Sequence, residues 1–216
     1  MNTKEKYSNW VDRVCTWIEQ VGPMVKGSSS AMQSAPALSG HCKVLFLGHD
    51  AHEPFGFTGV DRQRFFEGNG NFNNAKAMGP IWNRPYQSLK RIGHTEILEP
   101  DNFMLMNLFY FGADDIKESA ANMRKEVMEK CIEFTGELAS EIVKPKVIVC
   151  YSERSVFDPL KKRLTDVENI QIADGIAVSF GKWNDIPVIG MKHPSGPNVS
   201  NKYLDTVLEY VVKYTE

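Results

Sequence analysis

Three polar residues stand where apolar runs stop. Val44 to Leu47 is a short apolar run ended by Gly48, and His49, Asp50, His52 and Glu53 follow at once. Phe103 to Phe111 is a second run, interrupted in its middle by Asn107. Ile186 to Met191 is a third, leading directly into Lys192-His193-Pro194-Ser195-Gly196. Open α/β sheets carry their ligand sites outside the carboxyl ends of parallel strands, where side chains far apart in sequence converge. An Asp, an Asn and a His at one such mouth could activate water, read an amide-rich ligand and neutralise a developing anion. Asn107 tells most, because an unpaired amide inside so apolar a run costs about 1–3 kcal/mol. Each residue also has a purely structural reading. Asp50 could cap a turn, Asn107 could bond backbone at a strand end, and His193 could be a loop histidine before a proline.

The elements around these residues follow from periodicity. Tyr7, Trp10, Val11, Val14, Trp17, Ile18 and Val21 form an i, i+3, i+4, i+7 stripe, a helix stopped by Gly22-Pro23. One helix cannot fold alone, so residues 1–26 are expected to pack on the main sheet, with 27–41 a Ser- and Gly-rich loop and 42–214 the core of a single domain. Pro80 to Ile92 reads as helical in two pieces broken at Pro85, with Gly93 as the stop. Asp115 to Val143 reads as one long amphipathic helix closed by Lys144-Pro145. Lys146 to Tyr151 is a further strand, and Ser155 is a candidate cap for a helix ending near Leu164. Ala177 to Phe180 and Ile186 to Met191 read as two strands joined by a turn over 181–185, and a last helix spans about Ser200 to Tyr214. Strands alternating with helices define an α/β class with a largely parallel sheet.

Composition narrows the function classes. The 216 residues suit one domain with a proper core. No apolar run approaches the roughly 20 residues a membrane span needs, and the first residues lack the apolar core of a secretory signal. A cytoplasmic protein is expected. Cys15, Cys42, Cys131 and Cys150 show no CxxC spacing, so neither a zinc site nor an iron–sulfur cluster is expected, and no cofactor. The net charge of −2 leaves no basic footprint, so any contact with nucleic acid must come from a local patch.

A resemblance joins the pieces. Gly48-His-Asp-Ala-His52 resembles the Gly-Gln-Asp-Pro-Tyr-His water-activating motif of the uracil-DNA glycosylase superfamily. The continuation Glu-Pro-Phe-Gly-Phe-Thr-Gly-Val60 is closer to the single-strand-selective monofunctional branch. Pro85-Tyr-Gln-Ser-Leu-Lys90 resembles the Pro-Ser-Leu segment that touches the DNA backbone. Phe103-Met-Leu-Met-Asn107 resembles the Leu-Leu-Leu-Asn strand that reads the uracil edge, and His193-Pro-Ser-Gly-Pro-Asn198 resembles the His-Pro-Ser-Pro loop. The five segments occur in family order over residues 42 to 214.

This resemblance implies a three-layer α/β/α fold around a mostly parallel four-stranded sheet, and a monomeric enzyme that removes uracil or a related damaged base from DNA. Asp50 would orient the attacking water, His193 would donate to the uracil O2, and Asn107 would pair with the base's O4 and N3–H edge. Phe66, with Phe65 beside it, is the candidate to stack on the base, though either could be a core residue. His49 and His52 would border the base. Ser88, Lys90, Ser195 and Lys202 would hold DNA phosphates, and Pro197 or Val199 would take the intercalating position. The chain departs from the family at His49, where Gln or Met is usual, at Ala51 in place of Pro, and at His52 in place of the tyrosine that excludes thymine. Two rivals remain. His49, Asp50, His52, Glu53 and His193 are ligand types for a metal-dependent hydrolase. A non-catalytic nucleic-acid or nucleotide binder of the same fold would suit the acidic balance.

Overall fold

Alternate residues of a strand face opposite sides of its sheet, and here both sides are apolar. The computed structural model describes residues 1–22, 31–50, 59–68, 74–76, 79–112 and 124–216. Strands β1 (Val44–Gly48), β2 (Phe103–Asn107) and β3 (Val147–Tyr151) are buried at all five positions each, as expected of strands covered on both faces. With β4 (Thr165–Ala173), β5 (Ile176–Trp183) and β6 (Ile186–Met191) they form one six-stranded sheet in the order β2-β1-β3-β6-β5-β4. Contacts among β2, β1, β3 and β6 are parallel, whereas β6-β5 and β5-β4 are antiparallel.

The four-stranded expectation is therefore corrected to six. β4 escaped notice because Thr-Asp-Val-Glu-Asn-Ile-Gln-Ile is mostly polar and the strand is an exposed edge. Its hairpin signal was nonetheless present, since Asp174-Gly175 joins it to β5 with Gly175 at φ 66°. β5 also runs three residues further than its apolar core, through Gly181-Lys182-Trp183. The turn is only Asn184-Asp185, both left-handed at φ 48° and 67°.

Helices cover both faces. Helix α1 (Thr3–Val21), with the capping box of Asn2 and Glu5, buries Tyr7, Trp10, Val11, Val14 and Ile18 in one core with Leu45, Leu47, Met104 and Met106. Trp10 Nε1 donates to the Phe134 carbonyl at 3.0 Å, so α1 is part of the core. On the other face, Trp82 and Leu89 of α3 (Pro80–Arg91) and Leu204, Val207, Leu208 and Val211 of α5 (Asn201–Val212) pack on Phe46, Leu105, Val149 and Tyr151. Short α2 (Arg62–Glu67) is the next described helix after β1, and α4 (Lys125–Glu137) continues as a π-helical turn to Val143. Helix formation predicted before Lys125 lies outside the described residues over 113–123.

Two local expectations change. Pro85 removes one helical hydrogen bond but does not split α3. Trp82 and Leu89, seven residues apart and on either side of it, hold both halves against the sheet. The cap after β3 is Ser152, whose Oγ accepts from the Ser155 N–H at 3.1 Å, not Ser155 itself. Thr165 to Ala173, which follows Leu164 directly, is strand.

Candidate functional site

Gly48 closes β1 and pairs in register with Asn107, the last residue of β2. A Cβ on Gly48 would sit 2.5 Å from Asn107 Oδ1, so the Asn107 amide lies across the space that glycine leaves open. Asn107 is 3% exposed, and its N–H donates to the Ala31 carbonyl at 2.7 Å. β1 and β2 stay joined beyond their strands. Leu108 N–H donates to the Gly48 carbonyl and Phe109 N–H to the His49 carbonyl, each at 2.9 Å. That extension fixes the backbone from which His49 and Asp50 project.

His49 Nδ1 lies 2.9 Å from Asp50 Oδ1, with both side chains less than one-fifth exposed. The His49 ring meets Phe109 edge to face, centroids 4.8 Å apart. Phe109 is itself buried, so it braces His49 and does not offer a free ring. This bracing residue was absent from the sequence reading, although it lies two positions after Asn107 in the same apolar run.

Beyond β6, the chain turns tightly. Gly196 N–H donates to the His193 carbonyl at 2.8 Å, and Lys192 N–H donates to the Tyr203 hydroxyl of α5 at 2.8 Å. Ser195 places its Oγ 2.7 Å and its backbone N 3.3 Å from His193 Nδ1. A backbone N–H can only donate, which makes Nδ1 an acceptor and assigns the imidazole proton to Nε2. Burial pushes the His193 pKa below its ordinary value, and the nearby His49 lowers it further. His193 is therefore neutral around pH 7. In the sheet order, β1 and β6 flank β3, and both pair with it in parallel, so their carboxyl ends lie at the same edge of the sheet.

Beside them, Tyr151 ends β3 on the same sheet face as Phe46, which its ring meets with centroids 5.4 Å apart. Its hydroxyl is buried and has no hydrogen-bond partner among the described residues.

The fold thus gathers Asp50, His49, Asn107 and His193, and leaves other candidates elsewhere. Phe65 is 3% exposed in the core under α1, 6.1 Å from the Trp10 ring, and its carbonyl accepts from the Tyr7 hydroxyl. It is not available to stack on a ligand. Phe66 is 44% exposed and meets Tyr7 edge to face at 5.7 Å. Ser88 is fully buried and donates to Asp205 Oδ1 at 2.5 Å, so it ties α3 to α5 and offers nothing to a phosphate. Lys90 is exposed, with Nζ 5.5 Å from the Tyr86 ring centroid, and Lys202 is exposed near the start of α5. Ser195 is exposed but already engaged with His193. Val199 is buried, which excludes it as an intercalating side chain, while Pro197 is exposed. His52 and Glu53 lie outside the described residues.

Among the described residues no group of three or more His, Cys, Asp or Glu side chains is placed to hold a metal ion, and no helix is long and apolar enough to cross a membrane. A cavity of about 500 Å³ lies at the start of β2, lined by Trp82, Tyr86, Phe103, Leu98, Pro36 and Asp101 among others, and shares no lining residue with the polar cluster. No protein-family model matches the chain, and no curated protein matches it.

Proposed function

We propose that the chain is a DNA glycosylase of the uracil-DNA glycosylase superfamily, with the three-layer arrangement of that family, hydrolysing the N-glycosidic bond of uracil or a related damaged base. The observation that carries this reading is the placement of Asp50, Asn107 and His193 at or just past the carboxyl ends of strands β1, β2 and β6, which run parallel in one sheet. Base excision needs the nucleotide extruded from its stack, an anion stabilised on the departing base and water delivered to a cationic sugar. A neutral imidazole protonated at Nε2 suits the second task. It donates a hydrogen bond as charge grows on the base carbonyl, without having been fully charged beforehand. The Asn107 amide offers both a donor and an acceptor, the pair that matches the O4 and N3–H edge of uracil and mismatches cytosine.

Asp50 supplies the carboxylate. One of its oxygens faces His49 Nδ1, leaving the other to orient water and to stabilise the oxocarbenium-like sugar. His49 holds that carboxylate in one orientation, a feature specific to a chain with histidine at this position. The same contact favours a second reading, a non-catalytic nucleotide or nucleic-acid binder in which His49 and Asp50 form a closed pair. DNA would lie along exposed Lys90 and Lys202, at most a local basic patch on an acidic chain. Uracil release from single-stranded and G·U-paired oligonucleotides tests the proposal. Release by the wild type, lost in Asp50→Asn and His193→Leu, supports the enzyme. Binding without release supports the second reading.

A further inference from the structure

Arg84 projects from the first half of α3 and ends against the loop that carries His193. Its Nη1 donates to the Pro194 carbonyl at 2.5 Å, and its Nη2 donates to the Val199 carbonyl. These two carbonyls lie on either side of the turn at Ser195-Gly196, where no strand ladder fixes the backbone. Helix α3 is itself anchored. Ser88 and Arg91, one and two turns further along it, both donate to the Asp205 carboxylate of α5. Helix α5 in turn supplies Tyr203, whose hydroxyl accepts from the Lys192 N–H just before His193. Two helices locked together through Asp205 therefore grip the loop on both sides of the histidine.

We propose that Arg84 is a positioning residue for His193. By bridging two carbonyls five residues apart, its planar guanidinium holds the loop in the one shape that sets the Ser195 N–H and Oγ on His193 Nδ1. The proton is thereby kept on Nε2. A lysine reaches one carbonyl as a point charge but cannot span both, so the role is specific to arginine. The proposal rests on the reading of His193 as the group that meets the departing base.

The test uses the full chain, ¹⁵N-labelled, with the imidazole nitrogens of His193 followed by long-range ¹H–¹⁵N correlation at pH 7.5, beside steady-state uracil release. Wild type shows one neutral tautomer protonated at Nε2. Arg84→Met shows a mixture of tautomers and loses about 100-fold in kcat, with KM little changed, as expected for a group displaced by an ångström or so. Arg84→Lys lies between the two. Arg13→Met, which cuts the link from α1 to Glu137 away from this loop, keeps the wild-type tautomer and kcat. A wild-type His193 pattern in Arg84→Met overturns the proposal. Should that variant fail to fold, Arg84→Gln, with one amide donor, must show the mixed pattern, and an unchanged pattern there overturns it equally. If no variant and no wild type releases uracil, the glycosylase reading fails, while the imidazole spectra still decide the role of Arg84.

Discussion

One methyl group added at Gly48 should dislodge the Asn107 amide. An ideal Cβ there falls 2.5 Å from Asn107 Oδ1, roughly an ångström inside ordinary contact. Gly48 does not occupy the left-handed region, so alanine suits the backbone and the conflict is confined to the neighbouring side chain. Asn107 cannot simply yield, because its N–H is held by Ala31 and its side chain is buried. Overpacking of this kind costs about 1–3 kcal/mol. The assay is equilibrium denaturation of Gly48→Ala, Asn107→Ala and the double variant. Removing the Asn107 amide makes room for the methyl, so the alanine at 48 should cost at least about 1 kcal/mol less in the Asn107→Ala background, a coupling of the size that touching residues show. Additive losses, or a Gly48→Ala variant within about 0.5 kcal/mol of wild type, would refute the placement of Asn107 over the end of β1.

Other outcomes follow from the same geometry. His193 should titrate below the ordinary histidine value near 6.5, because burial and then His49 disfavour its charged form. The unfolded chain takes up that proton first as pH falls, so this contribution to stability is complete above about pH 6.5 and is lost on acidification towards the lower folded value. An NMR midpoint at or above 6.5 would contradict this, and His49→Gln should move the midpoint upward. Tyr151→Phe removes a buried hydroxyl that lacks a partner among the described residues and should raise stability by about 1 kcal/mol. A loss of stability in that variant would mean the hydroxyl has a partner. Ser88→Ala should cost about 1.5–3 kcal/mol through the lost bond to charged Asp205 while leaving the salt dependence of DNA binding unchanged. A shallower salt slope would return Ser88 to a phosphate contact.

How much of this was legible in the sequence depended on burial. β1, β2 and β3 announced themselves as unbroken apolar runs, because parallel strands covered on both faces need no alternation. Asn107 could be found by the same means, as the one polar residue inside such a run, and His193 as a polar residue just past the end of another. β4 could not, since an edge strand with five exposed residues at its start carries no apolar signal, and only Asp174-Gly175 marked its hairpin. Pro85 misled because a local rule says that proline breaks a helix, whereas Trp82 and Leu89 are held by tertiary packing that no local window contains. Ser88 and Phe65 were misplaced for a related reason. Each is of a type that suits a ligand contact, and only the fold reveals that Asp205 and Trp10 already occupy them. Arg84 had no signal at all, its two acceptors being backbone carbonyls 110 and 115 residues away.

The most direct measurement of the central claim is single-turnover release of uracil from a single-stranded oligonucleotide by wild type and Asp50→Asn at pH 7.5. A carboxylate that delivers water is worth about 10²–10⁴-fold, so wild type should release the base and the variant should be slower by at least 100-fold. No release by wild type, or equal release by both, would contradict the assignment of Asp50 as the catalytic carboxylate.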